Sequence, residues 1–127
     1  MKNTIKVWSN TESYLKNRKT YIKIFDKVSN SSQIILGPEV KKFEEKFSKF
    51  TGNKYGVGVN SGTDALEIIL MSLGVGRGDE VITTSNTAVP TVSAIVSTNA
   101  KPVFVDINEK DFLINFTQIK KKITKKN

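Results

Sequence analysis

The stretch Asn60-Ser61-Gly62-Thr63-Asp64-Ala65-Leu66 decides how the rest of this chain is read. It follows a short apolar run, Tyr55 to Val59, whose composition predicts a buried strand, and it opens Asp64 to Leu73, which predicts a helix. A small-residue turn between a strand end and a helix start leaves backbone N–H groups unpaired and aims them, with the positive end of the helix dipole, at one point. Such a point suits a phosphate. Ser61 and Thr63 add hydroxyl donors, and Gly62, lacking a Cβ, lets the backbone come close to a ligand. A second reading uses the same residues without a ligand: Ser61 or Thr63 as a helix N-cap, with Asp64 completing something like a capping box. Neither common phosphate motif is present, since no Gly-x-x-x-x-Gly-Lys-Ser/Thr occurs and Gly56-Val57-Gly58 lies within the apolar run, not after it.

Working outward, Glu80-Val81-Ile82-Thr83-Thr84 predicts a second strand, and Thr87 to Thr98 a helix entered through Asn86, with Pro90 interrupting its start. Lys101 to Asp106 predicts a third strand, and Phe116 to Lys126 a final basic helix. Strand, helix, strand, helix, strand is the order of βαβ units in a parallel sheet, which binds ligands at the carboxyl ends of its strands. Those ends are Asn60 to Thr63, Thr84-Ser85-Asn86-Thr87 and Asp106, so three loops distant in sequence are expected to line one pocket. The fold class is therefore α/β.

Upstream, residues 1–10 predict a short extended arm with one apolar alternation, Ile5-Lys6-Val7-Trp8, and Thr11 to about Ser29 a peripheral helix. Pro38 fits the first position of another helix, and Glu39 favours the same end electrostatically. There Val40, Phe43, Phe47 and Phe50 follow at steps of three, four and three, a stripe expected to pack in the core, and Gly52 ends it.

Composition narrows the function. The chain has 127 residues, 38% hydrophobic and 25% charged, as a soluble globular protein has. It contains no Cys and no His, which excludes disulfides, the usual zinc sites and imidazole bases. No apolar run reaches the roughly 20 residues of a membrane span, so no membrane partner and a cytoplasmic location are expected. Of the net charge of +8, five units come from Lys120, Lys121, Lys122, Lys125 and Lys126. That is a solvated tail, and no nucleic-acid footprint is expected from it.

Four blocks in order carry a resemblance: Gly37-Pro38-Glu39-Val40 with Phe43-Glu44; Ser61-Gly62-Thr63-Asp64-Ala65-Leu66; Gly78-Asp79-Glu80-Val81-Ile82; and Pro102-Val103-Phe104-Val105-Asp106-Ile107. The succession resembles the N-terminal part of the DegT/StrS-type nucleotide-sugar aminotransferases, enzymes of the aspartate-aminotransferase fold that use pyridoxal 5'-phosphate (PLP), and it extends from about Tyr14 to Asn115. It implies an incomplete three-layer large domain over residues 37–127, preceded by an arm and helix over residues 1–36. It implies that the turn at Ser61, Gly62 and Thr63 holds the cofactor phosphate. Asn86 and Thr87 are polar enough to touch cofactor or substrate, and Asn86 serves equally well as a helix N-cap. Ala88 stands where many members place a bulky aromatic, a departure that removes ring stacking at this position.

The resemblance further implies a nucleotide-linked keto-sugar substrate aminated at carbon 3, an amino-acid donor, and a homodimer when complete. The lysine and the acidic residue that PLP chemistry needs lie beyond the matched region in that family. Lys54 and Lys101 stand at the opposite ends of their strands, and Asp106 is implied to be a neighbour of the site, not the partner of the pyridine nitrogen. The chain is thus expected to be a fragment, inactive alone and poorly soluble, with a half-built sheet exposing an edge and apolar faces. The alternative is a stand-alone or partner-dependent α/β protein that binds a phosphorylated ligand.

Overall fold

The computed structural model describes residues 7–127. The arm expected over residues 1–10 falls partly outside them, and residues 7–10 form no regular element. The described chain divides into two compact units, one ending at Gly58 and one running from Val59 to Asn127.

The first unit holds α1 (Thr11–Asn30) and α2 (Pro38–Phe50). α1 buries none of its residues, in keeping with the peripheral helix read from its spacing, and Tyr14 and Tyr21 stack on one another along it with ring centroids 6.2 Å apart. α2 begins at Pro38, whose missing N–H would be an orphan there in any case. Glu39 in its first turn accepts from Lys27 at 2.7 Å and from Lys42 at 3.0 Å. These two ammonium groups, Lys27 first, hold the Glu39 carboxyl down at about 2. A lowered folded value means that the tie is fully present above the ordinary glutamate value of 4.5 and is lost as the pH falls through about 2. We therefore expect the Glu39 side-chain carbon to titrate near pH 2 by NMR, with the Lys27 contact loosening over the same range. Titration at the ordinary glutamate value would show that the pair does not hold in solution.

The aromatic stripe of α2 does not pack in a core as the spacing suggested. Phe43, Phe47 and Phe50 are 60%, 50% and 87% exposed, and Phe43 and Phe47 stack on each other at 5.5 Å. The face that α2 covers is the neighbouring one, Val40, Glu44 and Ser48, against which the extended segment at Gly56 and Gly58 lies. The strand expected at Tyr55 to Val59 is also corrected. The segment is extended but forms no ladder among the described residues, and Tyr55 and Val57 are exposed. An apolar run becomes a strand only where another strand offers it hydrogen bonds, and here α2 is its neighbour.

The second unit holds α3 (Gly62–Ser72), β1 (Glu80–Thr84), α4 (Val89–Ser97), β2 (Lys101–Val105) and α5 (Phe116–Lys122). β1 and β2 are parallel, in register from Glu80 opposite Lys101 to Thr84 opposite Val105, with α4 as their crossover. This is the βαβ unit predicted, with the first expected strand, Tyr55 to Val59, missing from the ladder. Its core is small and centred on the crossover: Ala94 and Ile95 of α4, Ala100, and Val105 of β2. α4 starts at Val89, two residues later than predicted, with Ala88 and not Asn86 as its N-cap. A helix begun at Thr87 would bring the Pro90 ring against the carbonyl four residues before it, whereas in the first turn the proline is tolerated. α3 packs against α4, but Ile68, Ile69, Met71 and Leu73 stay exposed.

α5 is shorter than predicted. Its stop at Lys122 is set by Ile123 turning into an extended conformation and by Asn127 Nδ2 donating to the Lys122 carbonyl at 3.0 Å. The tail then returns to β1, where the Glu80 N–H donates to the Lys126 carbonyl at 2.6 Å and the Thr124 hydroxyl reaches Glu80 Oε2 at 3.2 Å. Lys101 meets Glu80 Oε1 at 3.2 Å, and this partner, ahead of Thr124, lowers the Glu80 carboxyl below the usual range. No helix among the described residues is long and apolar enough to cross a membrane.

Candidate anion-binding turn and strand ends

Ser61 is extended, at φ −153° and ψ 167°, and caps α3: its Oγ accepts from the Asp64 N–H at 3.1 Å. The Ala65 N–H reaches the Ser61 carbonyl at 3.0 Å. That leaves the N–H groups of Gly62 and Thr63 with no acceptor among the described residues. The N-cap half of the capping reading is thus present, without a reciprocal bond from the Ser61 N–H to the Asp64 carboxylate among the described residues, and it does not use up the donors. Ser61 accepts through a lone pair, so its own O–H stays free to donate. A Cβ built on Gly62 meets nothing within 4 Å, so the space in front of this turn is open. Asp64 adds a negative group to the first turn, which offsets part of the helix dipole. What the turn offers an anion is therefore chiefly its directed hydrogen bonds.

The parallel register sets the carboxyl ends of β1 and β2 side by side, so Ser85 and Asp106 leave the sheet together. Past β1 the Asn86 N–H donates to Thr84 Oγ1 at 3.2 Å, which folds the loop back on the strand end and leaves the Asn86 side chain exposed. Thr87 Oγ1 lies 2.9 Å from Thr91 Oγ1, tying the loop to the first turn of α4. Asp106 Oδ1 accepts from the next N–H in the chain, that of Ile107, at 2.8 Å. The backbone of Asp106 is held from both sides, its N–H by Gln118 and its carbonyl by Asn115. A groove of about 480 Å³ lies there, lined by Asp106, Asn108, Phe112, Asn115 and Gln118 among others. Neither Ser61, Gly62 and Thr63 nor Asn86 and Thr87 line it. This groove is therefore not the single pocket expected from three loops, and no hydrogen bond among the described residues joins the Ser61 turn to the Asn86 loop.

The donors fit a phosphate ester, and hence the phosphate arm of PLP, because two free N–H groups and a free hydroxyl surround a point that no Cβ occupies. The two lysines set aside from sequence are engaged elsewhere: Lys101 with Glu80, at the far end of β2 from Asp106, and Lys54 over the Tyr55 ring at 5.1 Å. A feature that sequence reasoning passed over is Glu44, whose Oε1 accepts from the Gly58 N–H at 2.7 Å. The signal was the pair Gly56 and Gly58 within an apolar run, which marks close approach of another group to the backbone.

Comparison with known proteins gives the chain relatives. A model of the DegT/DnrJ/EryC1/StrS aminotransferase family matches residues 16–127. A dTDP-3-amino-3,4,6-trideoxy-alpha-D-glucose transaminase of Micromonospora megalomicea subsp. nigra is 41% identical over 121 residues, which is 95% of this chain and 32% of the relative. The crystal structure of DesV from S. venezuelae in complex with a ketimine intermediate superposes with a TM-score of 0.90 at 35% identity, over 93% of this chain and 32% of that one. NtdA from Bacillus subtilis, solved with bound cofactor PMP, superposes with a TM-score of 0.80 at 30% identity, over 99% of this chain and 30% of that one. The chain spans about a third of the length of these relatives.

Proposed function

Because this chain belongs to the DegT/DnrJ/EryC1/StrS aminotransferase family, we propose that it supplies the phosphate-holding part of a PLP-dependent nucleotide-sugar aminotransferase. Residues 37–127 would be part of the cofactor-binding large domain and residues 1–36 its arm and leading helix, a division by family role that is distinct from the compact units. The observation that carries the reading is the turn at Ser61, Gly62 and Thr63, where two N–H groups stay free after the helix is capped.

In this role the Gly62 and Thr63 N–H groups donate to phosphate oxygens while Ser61, already accepting from Asp64, donates its hydroxyl hydrogen. The phosphate is thereby anchored at one end of the cofactor. Asn86 and Thr87, on the loop after β1, offer polar side chains to the cofactor or the substrate, and Thr87 is pre-set by its bond to Thr91. Ala88 offers no ring to stack. PLP, when bound, supplies the electron sink and carries the amino group between an amino-acid donor and the keto-sugar. Amination at carbon 3 is supported by the name of the Micromonospora relative. A homodimer in the cytoplasm goes with the same reading.

The test is titration with pyridoxamine 5'-phosphate, which carries the phosphate and ring but no aldehyde to react with surface lysines. Amide NMR is expected to show saturable shifts concentrated at Gly62 and Thr63. Shifts spread over the Lys120 to Lys126 tail, with none at the turn, would refute the reading.

A further inference from the structure

We propose that Glu44 is a positioning residue for the anion-binding turn, acting through Gly58; the inference rests on the phosphate reading of that turn. Glu44 is half-buried on α2, and its carboxylate accepts from the Gly58 N–H at 2.7 Å. That N–H belongs to an extended segment with no ladder among the described residues, so the side chain supplies the acceptor that a neighbouring strand would otherwise provide.

The two glycines show how closely the segment is laid down. A Cβ on Gly56 would stand 2.8 Å from the Glu44 carbonyl oxygen and 3.5 Å from Ser48 Cβ. A Cβ on Gly58 would stand 3.3 Å from Glu44 Oε1 and 3.6 Å from Val40 Cγ1. Neither glycine is among those with positive φ, which are Gly52, Gly74 and Gly78. Both are therefore small for contact and not for backbone conformation. Ser48, buried and small, completes the seat one turn beyond Glu44.

The consequence for function follows from chain connection. Gly58 precedes Ser61 by three residues, so a clamp at Gly58 limits the conformations open to the backbone entering the turn. An ordered turn presents the Gly62 and Thr63 donors before the anion arrives, and a loose one must be ordered at the expense of binding. Glu44 touches no ligand in this account.

The experiment compares the full chain with its Glu44→Ala, Glu44→Gln and Gly58→Ala variants, by amide hydrogen exchange and by pyridoxamine 5'-phosphate titration. Glu44→Ala is expected to speed exchange at Gly58 and at the bonded turn amides Asp64 and Ala65, to leave the α2 amides unchanged, and to weaken binding about tenfold. Glu44→Gln keeps an oxygen acceptor and should restore both. Gly58→Ala, which keeps the carboxylate but crowds it, should behave like Glu44→Ala and decides the matter if the latter loses α2 protection. Unchanged exchange at Asp64 and Ala65 in both alanine variants, or failure of Glu44→Gln to restore it, overturns the proposal. A wild-type chain that binds no pyridoxamine 5'-phosphate overturns the phosphate reading instead, and the exchange pattern still decides whether Glu44 positions the turn.

Discussion

Replacing Gly62 by valine is expected to weaken pyridoxamine 5'-phosphate binding by about 30-fold, roughly 2 kcal/mol, while leaving thermal stability unchanged or slightly raised. The two halves of this result come from different physics. A Cβ at Gly62 meets nothing within 4 Å, so the folded chain has room for a larger side chain. Valine is also a somewhat better helix residue than glycine, by a few tenths of a kcal/mol in helix interiors, and Gly62 is the first residue of α3. Stability therefore gives no reason for a glycine here. Binding does, because the Cβ of a helical residue tilts toward the helix N-terminus, into the space that the free N–H groups face. Losing one hydrogen bond to a charged group costs about 1.5–3 kcal/mol, which sets the expected size. Isothermal titration alongside a melting curve separates the two effects. Weakened binding with an equal loss of stability would make Gly62 a folding residue, and unchanged binding would remove the turn from the site.

How much of this was legible in the sequence depends on whether the signal was local. Pro38 fixed the start of α2, and the Gly52 stop fits its end at Phe50. The runs at Glu80 to Thr84 and Lys101 to Val105 became paired parallel strands because each finds the other across one crossover helix. Ser61 was readable as a cap because a cap is decided within four residues, and the bond to Asp64 is of that kind.

What failed was decided by distant partners. The run from Tyr55 to Val59 has strand composition, yet the described residues give it no strand to pair with, and Glu44 takes its Gly58 N–H instead. The aromatic stripe of α2 has ideal core spacing, yet the chain lays its glycines on the adjacent face at Val40, Glu44 and Ser48. Periodicity reports that a face is apolar, and it does not report what will cover that face. The half-covered elements, from the Phe43 stripe to Ile68 and Met71 of α3, agree with a chain that spans a third of its relatives.

Gly37→Ala is expected to destabilise the chain by about 2–3 kcal/mol, near the upper end for an overpacked site, seen as a lowered denaturation midpoint with an unchanged slope. Gly37 is buried and is the N-cap of α2, at φ −75° and ψ 176°, angles that any residue adopts. Its requirement for glycine is steric. A Cβ there would overlap the Gln33 carbonyl oxygen and crowd the Gln33 carbonyl carbon at 3.1 Å, both backbone atoms that cannot rotate away. Relief needs either the turn over residues 33–37 to open or the start of α2 to shift. The first disturbs Leu36, already held at φ 51°, and the second disturbs the Val40 N–H bond to the Gly37 carbonyl at 3.0 Å. Gly52 is the contrasting case, with φ 70° and open space around it, so its glycine answers to conformation and not to contact. A loss below about 0.5 kcal/mol, the usual range for surface substitutions, would mean that the 33–37 turn relaxes freely. In that event the Gly37-Pro38 pair would matter to this fold through Pro38 alone.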